Sequence, residues 1–340
     1  MMTIAPVEEV SSSRDAVVVV IPCLNEEEHI ENTLARFMAE PSSIVRKIVV
    51  SDGGSSDRTL RIVESCARTD RRIAILHNRN RIQSSGLNRA VEAYGDVARF
   101  VVRVDAHSDY PPGFCTKLLA AQAVTGANSV VVSMIAKGNS CFQEAAATAQ
   151  NSRLGNGGSA HRLAGDGRFV DHGHHALLEV KAFRAVGGYD EAFTHNEDAE
   201  LDFRLTAAGF RIYLCAGADI TYYPRSTPLS LFRQYWNFGY GRAMNVLKHR
   251  ARPKLRQMVP VMIGPVVALA VLGQVFAVPA LFWAAVCLTY GIVLAARNKS
   301  PCACGSGIAA MLMHLGFSLG FIYRVLQFVL GSHLRTSRCA

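Results

Sequence analysis

The sequence predicts an α/β fold, a mostly parallel sheet wound with helices, followed by C-terminal transmembrane helices. Three observations carry this. Short β-branched runs alternate with helical stretches between Ala16 and Leu214; polar or acidic residues follow directly on several of those runs; and every acidic residue lies at or before Asp219, ahead of a long uncharged stretch. Strand and helix alternating at this pace is the pattern of βαβ units.

The elements follow in order. The run AVVVVI from Ala16 to Ile21 has no polar alternation, the mark of a strand buried on both faces. It stops at Pro22, and Asn25 is placed to cap a helix whose first turn holds Glu26, Glu27 and Glu28. KIVVS from Lys47 to Ser51 is a second strand, running into the loop Asp52-Gly53-Gly54-Ser55-Ser56-Asp57 and a helix from Thr59 to Ala67. Ile73 to Leu76 reads as a third strand, Ser85 to Ala93 as a helix, and Phe100 to Val104 as a fourth strand closed by Asp105-Ala106-His107. A helix over 113–126 and a strand from Ser129 to Ala136 come next; the Gly- and Asn-rich stretch 140–160 has no clear period. Phe183 to Phe193 reads as a loop, Asn196 to Ala208 as a helix and Ile212 to Leu214 as a final strand.

The 340 residues carry a net charge of +9, which splits into −4 over residues 1–219 and +13 over 220–340. Such a split points to an anionic surface or substrate beside the second half. Gln257 to Ala296 is 40 residues without a formal charge, enough for a helical hairpin at about 20 residues per span. A further run over 300–330, broken only by Arg324, is a possible third span, although it would leave Arg335 and Arg338 outside. Basic residues from Lys248 to Arg256, and Arg297 with Lys299, bracket the hairpin as a cytosolic flank would. A hairpin buried in a protein core is the alternative. The resulting division is a flexible leader over 1–14, a cytosolic domain over 15–245, a basic juxtamembrane collar over 246–256, transmembrane helices over 257–331 and a tail over 332–340. With no secretory leader before Val17, the expected location is a bacterial inner (cytoplasmic) membrane with the catalytic domain facing the cytosol. The basic residues border apolar runs and are not interleaved with aromatics on a polar face, so nucleic acid is not an expected partner. Nine cysteines form no CxxC pair and read as reduced thiols.

In an open parallel sheet, ligands bind at the carboxyl ends of strands, which singles out Asn25, Glu26, Asp52, Asp105 and His107. There is no GxGxxG after the first strand and no GxxxxGK[ST], so dinucleotide and phosphate-loop readings fail. A sheet edge with carboxylates and no glycine cradle calls for a divalent cation between protein and phosphate. Asp105 and His107 are two residues apart and suit Mg²⁺ or, with the imidazole, Mn²⁺. His172, His174 and His175 lack a fourth ligand at fixed spacing and read as a loop beside an acceptor pocket.

The segments VVVVIPCLNEE (Val17 to Glu27), IVVSDGGSSDRTL (Ile48 to Leu60), GLNRA (Gly86 to Ala90), VRVDAH (Val102 to His107), GGYDEAF (Gly187 to Phe193) and EDAELDFRL (Glu197 to Leu205) together resemble the family 2 glycosyltransferases of the GT-A fold. The resemblance implies a nucleotide-diphospho-sugar transferase that uses a UDP-sugar donor and inverts the anomeric carbon. It places Pro22, Asn25, Glu26, Asp52, Asn88 and Asp105 at the nucleotide sugar, with Asp105 as the first residue of the family's DxD. His107 stands where the family has Asp, so either His107 or Asp109 completes a metal site. Asp198 matches the general base and Glu197 the residue that orients it; a carboxylate in a helix's first turn beside a second acid is also chemically suited to that task. Glu200 and Asp202 read as solvated or as partners of Arg204. Gln234, Trp236 and Arg242 lie where processive members carry QxxRW, here broken by Asn237 and Phe238, which implies a single addition. The implied reaction moves one hexose, glucose from UDP-glucose, to a polyprenyl-pyrophosphate-linked sugar in exopolysaccharide assembly, with membrane lipids around the collar. A processive synthase of the same fold and a non-catalytic membrane scaffold are the alternatives.

Overall fold

The computed structural model describes residues 15–157, 166–253 and 255–336. The strands are β1 (Val17–Cys23), β2 (Val45–Asp52), β3 (Ile73–His77), β4 (Phe100–Arg103), β5 (Ser129–Val132), β6 (Met134–Ala136), β7 (Arg168–Val170), β8 (His174–Glu179), β9 (Ile212–Leu214) and β10 (Ile220–Tyr222). The helices are α1 (Ile30–Met38), α2 (Thr59–Thr69), α3 (Gln83–Tyr94), α4 (Phe114–Thr125), α5 (Cys141–Gln150), α6 (Arg153–Asn156), α7 (Val180–Ala185), α8 (Glu197–Ala207), α9 (Pro228–His249), α10 (Leu255–Leu269), α11 (Gln274–Asn298) and α12 (Ser306–Thr336). The expected leader 1–14 and the end of the expected tail, 337–340, lie outside the described residues. The chain divides into two compact units, one of Met1–Ser133, Gly165–Ala192 and Leu201–Ile220, the other of Met134–Ala164, Phe193–Glu200 and Thr221–Ala340.

The first unit is built on an eight-stranded sheet in the order β3-β2-β1-β4-β8-β5-β9-β7. β1 pairs in parallel with β2 and β4 at once, Val20 lying opposite Val49 on one side and Arg103 on the other. Residues Val17 to Ile21 are at most 1% exposed, as a run of β-branched side chains covered on both faces requires. α1 lays Ile30, Leu34 and Phe37 on the core, and the Phe37 ring meets Tyr110 and Phe114 edge to face. The buried Glu40 carboxylate accepts from Cys115 N–H at 3.0 Å and Thr116 Oγ1 at 3.1 Å, satisfying the first turn of α4 from a distant segment.

Four expectations are corrected here. Asn25 does not cap a helix: it sits at φ 57°, and α1 begins five residues later. The run from Ser129 to Ala136 is two strands, because the chain leaves the large sheet at Ser133 and β6 pairs with β10. The histidines expected in a loop lie partly in β8, which runs antiparallel between β4 and β5 and makes the sheet mixed. Ile212–Leu214 is also not the final strand, since β10 follows.

The second unit is helical. The stretch 140–160 contains α5 and α6, and the expectation of nine reduced thiols fails at Cys141 and Cys302, which form a disulfide. Their Cα atoms are 5.0 Å apart despite a separation of 161 residues, a proximity that spacing in the sequence does not reveal. α9 and α12 pack through glycines: a Cβ on Gly239 would lie 2.0 Å from the Phe317 carbonyl oxygen, and one on Gly320 2.1 Å from that of Trp236. Pro265 in α10 has no N–H for the Val261 carbonyl; the Ser318 hydroxyl of α12 donates to that oxygen at 2.6 Å instead and accepts from Gly264 N–H at 2.9 Å.

The apolar tail differs from the expected hairpin over 257–296. α10 has 15 residues and two prolines, and the chain turns at Gly273, where φ is 144°. The two helices long and apolar enough to cross a membrane are Gln274–Asn298, of 25 residues, and the segment Cys302–Leu330. At 1.5 Å per residue α10 reaches only about 22 Å, short of a hydrocarbon core of about 30 Å. Because Gly239 leaves no room for a side chain against backbone, Gly239→Ala is expected to cost about 1–3 kcal/mol, read as a lower melting temperature of the detergent-solubilised protein.

Candidate active site

In the first unit the polar groups gather where the sheet order reverses. β1 has β2 on one side and β4 on the other, so the carboxyl end of β1 faces an open crevice. Asp105 follows β4 directly. Its Oδ1 accepts from Gln83 Nε2 at 2.9 Å and lies 3.6 Å from Arg103 Nη2, while Oδ2 lies 3.5 Å from His174 Nε2. Burial by itself would raise the Asp105 carboxyl, but the positive charges of Arg103, His174 and His107, with the Gln83 hydrogen bond, outweigh it and hold the pKa at about 2. Asp105 N–H donates to Tyr110 Oη at 2.6 Å, and burial, then the Asp105 charge, push that phenol well above its ordinary range. Tyr110 stands edge to face with Phe37 and Phe114, so this corner of the crevice rests on the aromatic core.

His107 turns towards Glu26, its Nδ1 3.0 Å from Glu26 Oε1. Glu26 is itself held by its backbone N–H, which donates to Thr59 Oγ1 at 2.8 Å. The sequence therefore picked three residues, Glu26, Asp105 and His107, that the fold does bring together. Asp109, two residues beyond His107, also has partners of its own. Asn25 Oδ1 accepts from Ser56 N–H at 2.8 Å, and Pro22 stands in β1 opposite Ser51. Asp52 is 1% exposed: its carboxylate accepts from the N–H groups of Gly54 and Ser55 and from the Ser55 hydroxyl, so it organises the loop below the crevice. Cys23 lies beside it, and burial with the Asp52 charge pushes the thiol up to about 12, which leaves it inert. Asn88 spends its amide on the neighbouring loop: Nδ2 donates to Tyr189 O and Glu191 Oε1, and Oδ1 accepts from Tyr189 N–H.

Sequence reasoning missed His174, Arg103 and Gln83 as neighbours of Asp105. Only Arg103 carried a signal, a cation in an otherwise apolar strand; the other two arrive from β8 and α3. His172 goes elsewhere, its Nδ1 2.7 Å from Asp202 Oδ2, and Gly173 N–H donates to the same oxygen at 3.2 Å. Asp202, expected to be solvated or paired with Arg204, is 1% exposed. Arg204 donates to the Val186 carbonyl.

In the second unit, α8 opens with Asn196 at φ 62°, whose Nδ2 donates to the Phe238 carbonyl at 2.7 Å, followed by Glu197 and Asp198 in the first turn. Glu197 is 9% exposed. Glu200, also expected in solvent, is fully buried between Lys248 Nζ at 2.6 Å and His249 Nε2 at 3.0 Å, so the helix that carries Asp198 is tied to the end of α9. A Cβ on Gly241 would lie 2.5 Å from the His195 carbonyl, which brings α9 against the residue just before that turn. Along α9, Gln234 Nε2 donates to Tyr222 Oη at 2.7 Å, and the Trp236 ring packs 5.4 Å from Tyr323 of α12. Arg242 stands one residue beyond Gly241 and has contacts of its own.

For a divalent cation, Asp105 and its imidazole neighbours are donors of suitable chemistry. Among the described residues no group of three or more His, Cys, Asp or Glu side chains is placed to hold a metal. A cation here would draw its remaining ligands from a bound diphosphate and water, so the residues fit a shared site and not an all-protein cage.

Breaking a buried ion pair from one side is costly. Lys248→Met is therefore expected to destabilise the protein by about 2–3 kcal/mol, with Glu200→Gln added to it recovering most of the loss in thermal unfolding.

Residues 18–187 match the profile of a family described as glycosyl transferase family 2. The chain is 47% identical over 313 residues, 91% of its length and 95% of the relative's, to the succinoglycan biosynthesis protein ExoA of Rhizobium meliloti strain 1021. Among solved structures it is similar to the mannosyltransferase PcManGT from Pyrobaculum calidifontis in complex with GDP-Man and Mn²⁺, with a TM-score of 0.54 and 18% identity over 89% of this chain and 87% of that one, a likeness of fold. The chain has the GT-A fold and belongs to glycosyltransferase family 2.

Proposed function

We propose that this glycosyltransferase transfers a single hexose, glucose from UDP-glucose, with inversion to a lipid-pyrophosphate-linked sugar in assembly of a succinoglycan-type exopolysaccharide. What carries the reading is the meeting of Glu26, Asp105 and His107 at the carboxyl ends of β1 and β4, joined to the identity with ExoA over nearly the whole chain. The proposed location is the bacterial inner membrane, with the sheet unit in the cytosol and α11 with α12 as the anchor; the basic residues around Lys248 to Arg256 support that orientation.

In this mechanism the crevice end of β1 and β4 receives the nucleotide. Glu26 and the loop organised by Asp52 face the nucleoside, and Asp105 stands at the ribose and diphosphate. Asp105 stays ionised through the working pH range because of Arg103 and His174, so it orients its partners without gaining a proton. Asp105 and His107 are the residues that would hold Mn²⁺ or Mg²⁺. Such a cation supplies positive charge against the diphosphate as it leaves. Asp198 takes the proton from the acceptor hydroxyl as that oxygen bonds to the anomeric carbon and the bond from that carbon to the diphosphate oxygen breaks. Glu197 beside it is assigned to orient the Asp198 carboxylate. Arg242 is assigned to the diphosphate or acceptor side. Gln234 and Trp236 are assigned to the same side, with Gln234 bonded to Tyr222 and Trp236 packed on Tyr323.

Two measurements test this. Asp198→Asn is expected to lower transfer from radiolabelled UDP-glucose to a lipid acceptor by at least about a hundredfold, with UDP affinity nearly unchanged; equal loss of both would assign Asp198 to the fold or the donor site. Excess chelator is expected to stop turnover and added Mn²⁺ or Mg²⁺ to restore it, and full activity in chelator would remove the metal role of Asp105 and His107.

A further inference from the structure

Within the second unit lies a cavity of about 740 Å³ that the proposed reaction does not use. Its walls come from the turn after β6, from α5 and α6, and from the end of α11. Lys137, Arg153 and Arg297 line it against a single acid, Glu144, and uncharged polar side chains such as Asn151, Tyr290 and Asn298 share the wall. The three cations are exposed, and none has an ion pair or a side-chain hydrogen bond among the described residues. Three like charges drawn to one cavity repel one another unless an anion offsets them. The volume suits a small ligand, since binding pockets commonly span about 300–1,000 Å³.

The position in the unit identifies the kind of anion. Arg297 and Asn298 are the last two residues of α11, a helix of 25 residues whose side chains stand largely exposed, Phe282 at 71%, Leu281 at 66% and Ile292 at 62%. Apolar side chains in such number belong in hydrocarbon, and a basic residue ending the helix then sits at the level of lipid phosphates. Leu294, half-buried in the same wall, continues the apolar surface of α11 into the cavity.

We propose that this cavity binds a lipid-borne phosphate: the mono- or diphosphate headgroup is held by Lys137, Arg153 and Arg297, and the hydrocarbon chain lies along α11. Each cation provides a charge-assisted hydrogen bond to the phosphate oxygens, and Glu144 opposes binding. The proposal rests on the membrane placement of α11 in the reading above and not on sugar transfer, so the two fail separately.

The test uses the full-length protein in non-ionic detergent with excess UDP present to fill the donor site, titrated with farnesyl diphosphate in a calorimeter. Farnesyl diphosphate is expected to bind, farnesol not to bind, and inorganic diphosphate to bind at least tenfold more weakly than the lipid form. Lys137→Gln, Arg153→Gln and Arg297→Gln are each expected to weaken binding about tenfold, and the triple variant to abolish it. Glu144→Gln is expected to tighten binding several-fold, a gain that misfolding does not produce. A short-chain phosphatidylglycerol run in parallel distinguishes the sources: tighter binding than farnesyl diphosphate assigns the site to bilayer phospholipid, weaker binding to an isoprenoid carrier, and either outcome upholds a lipid phosphate. Unchanged affinity in the triple variant, farnesol binding as tightly as its diphosphate, or inorganic diphosphate matching the lipid would each overturn the proposal. Loss of transfer with this binding intact would count against the proposed reaction and leave the site standing.

Discussion

The candidate site of the sheet unit depends on one carboxylate that has to remain charged where little water reaches it. Asp105 achieves this because Arg103, two residues earlier at the end of β4, and His174 on the adjacent antiparallel strand both present positive charge to it, while Gln83 at the start of α3 donates a hydrogen bond. Removing water from a charge is costly, and only several well-placed donors offset that cost. β4, β8 and α3 are therefore locked into one register around a single side chain. Tyr110 carries the constraint into the core, since its hydroxyl binds the Asp105 backbone and its ring packs on Phe37 and Phe114. The crevice is built before any ligand arrives, as electrostatic preorganisation demands.

A different constraint governs the helical unit. Close backbone approach and polar contacts between helices hold it together. Gly239 and Gly320 supply the approach between α9 and α12, and Ser318 supplies the polar contact that α10 needs at its proline. The same helix α9 ends in Lys248 and His249, which clasp Glu200 and so steady the first turn of α8 that carries Glu197 and Asp198. Glycine-mediated helix packing and the placement of the first turn of α8 are thus linked through one 22-residue helix.

Local pattern and tertiary contact divided the information cleanly. β1, β2, β3 and β4 were legible because a strand buried on both faces has to be apolar along its whole length, which one window of sequence displays. The meeting of Glu26, Asp105 and His107 was legible for the related reason that residues following parallel strands share one edge of the sheet. The long apolar helices were also legible, although their boundaries were not: Pro260, Pro265 and Gly273 shorten α10 and move the spanning candidates to α11 and α12.

What the amino-acid sequence determined by itself was whatever depends on neighbours along the chain, namely the parallel strands, the charge split at Asp219, the broken QxxRW and the family motifs. Only the tertiary structure decided what depends on segments meeting across it. The antiparallel insertion of β8, which delivers His174 to Asp105, is one such case; so are the burial of Glu200 and Asp202, the bond between Cys141 and Cys302, and the gathering of Lys137, Arg153 and Arg297 around one cavity. The physical reason is common to all of them. A charged or reactive side chain takes its environment from the groups packed on it, and those groups lie from 16 to 161 positions away, beyond the reach of any periodic pattern.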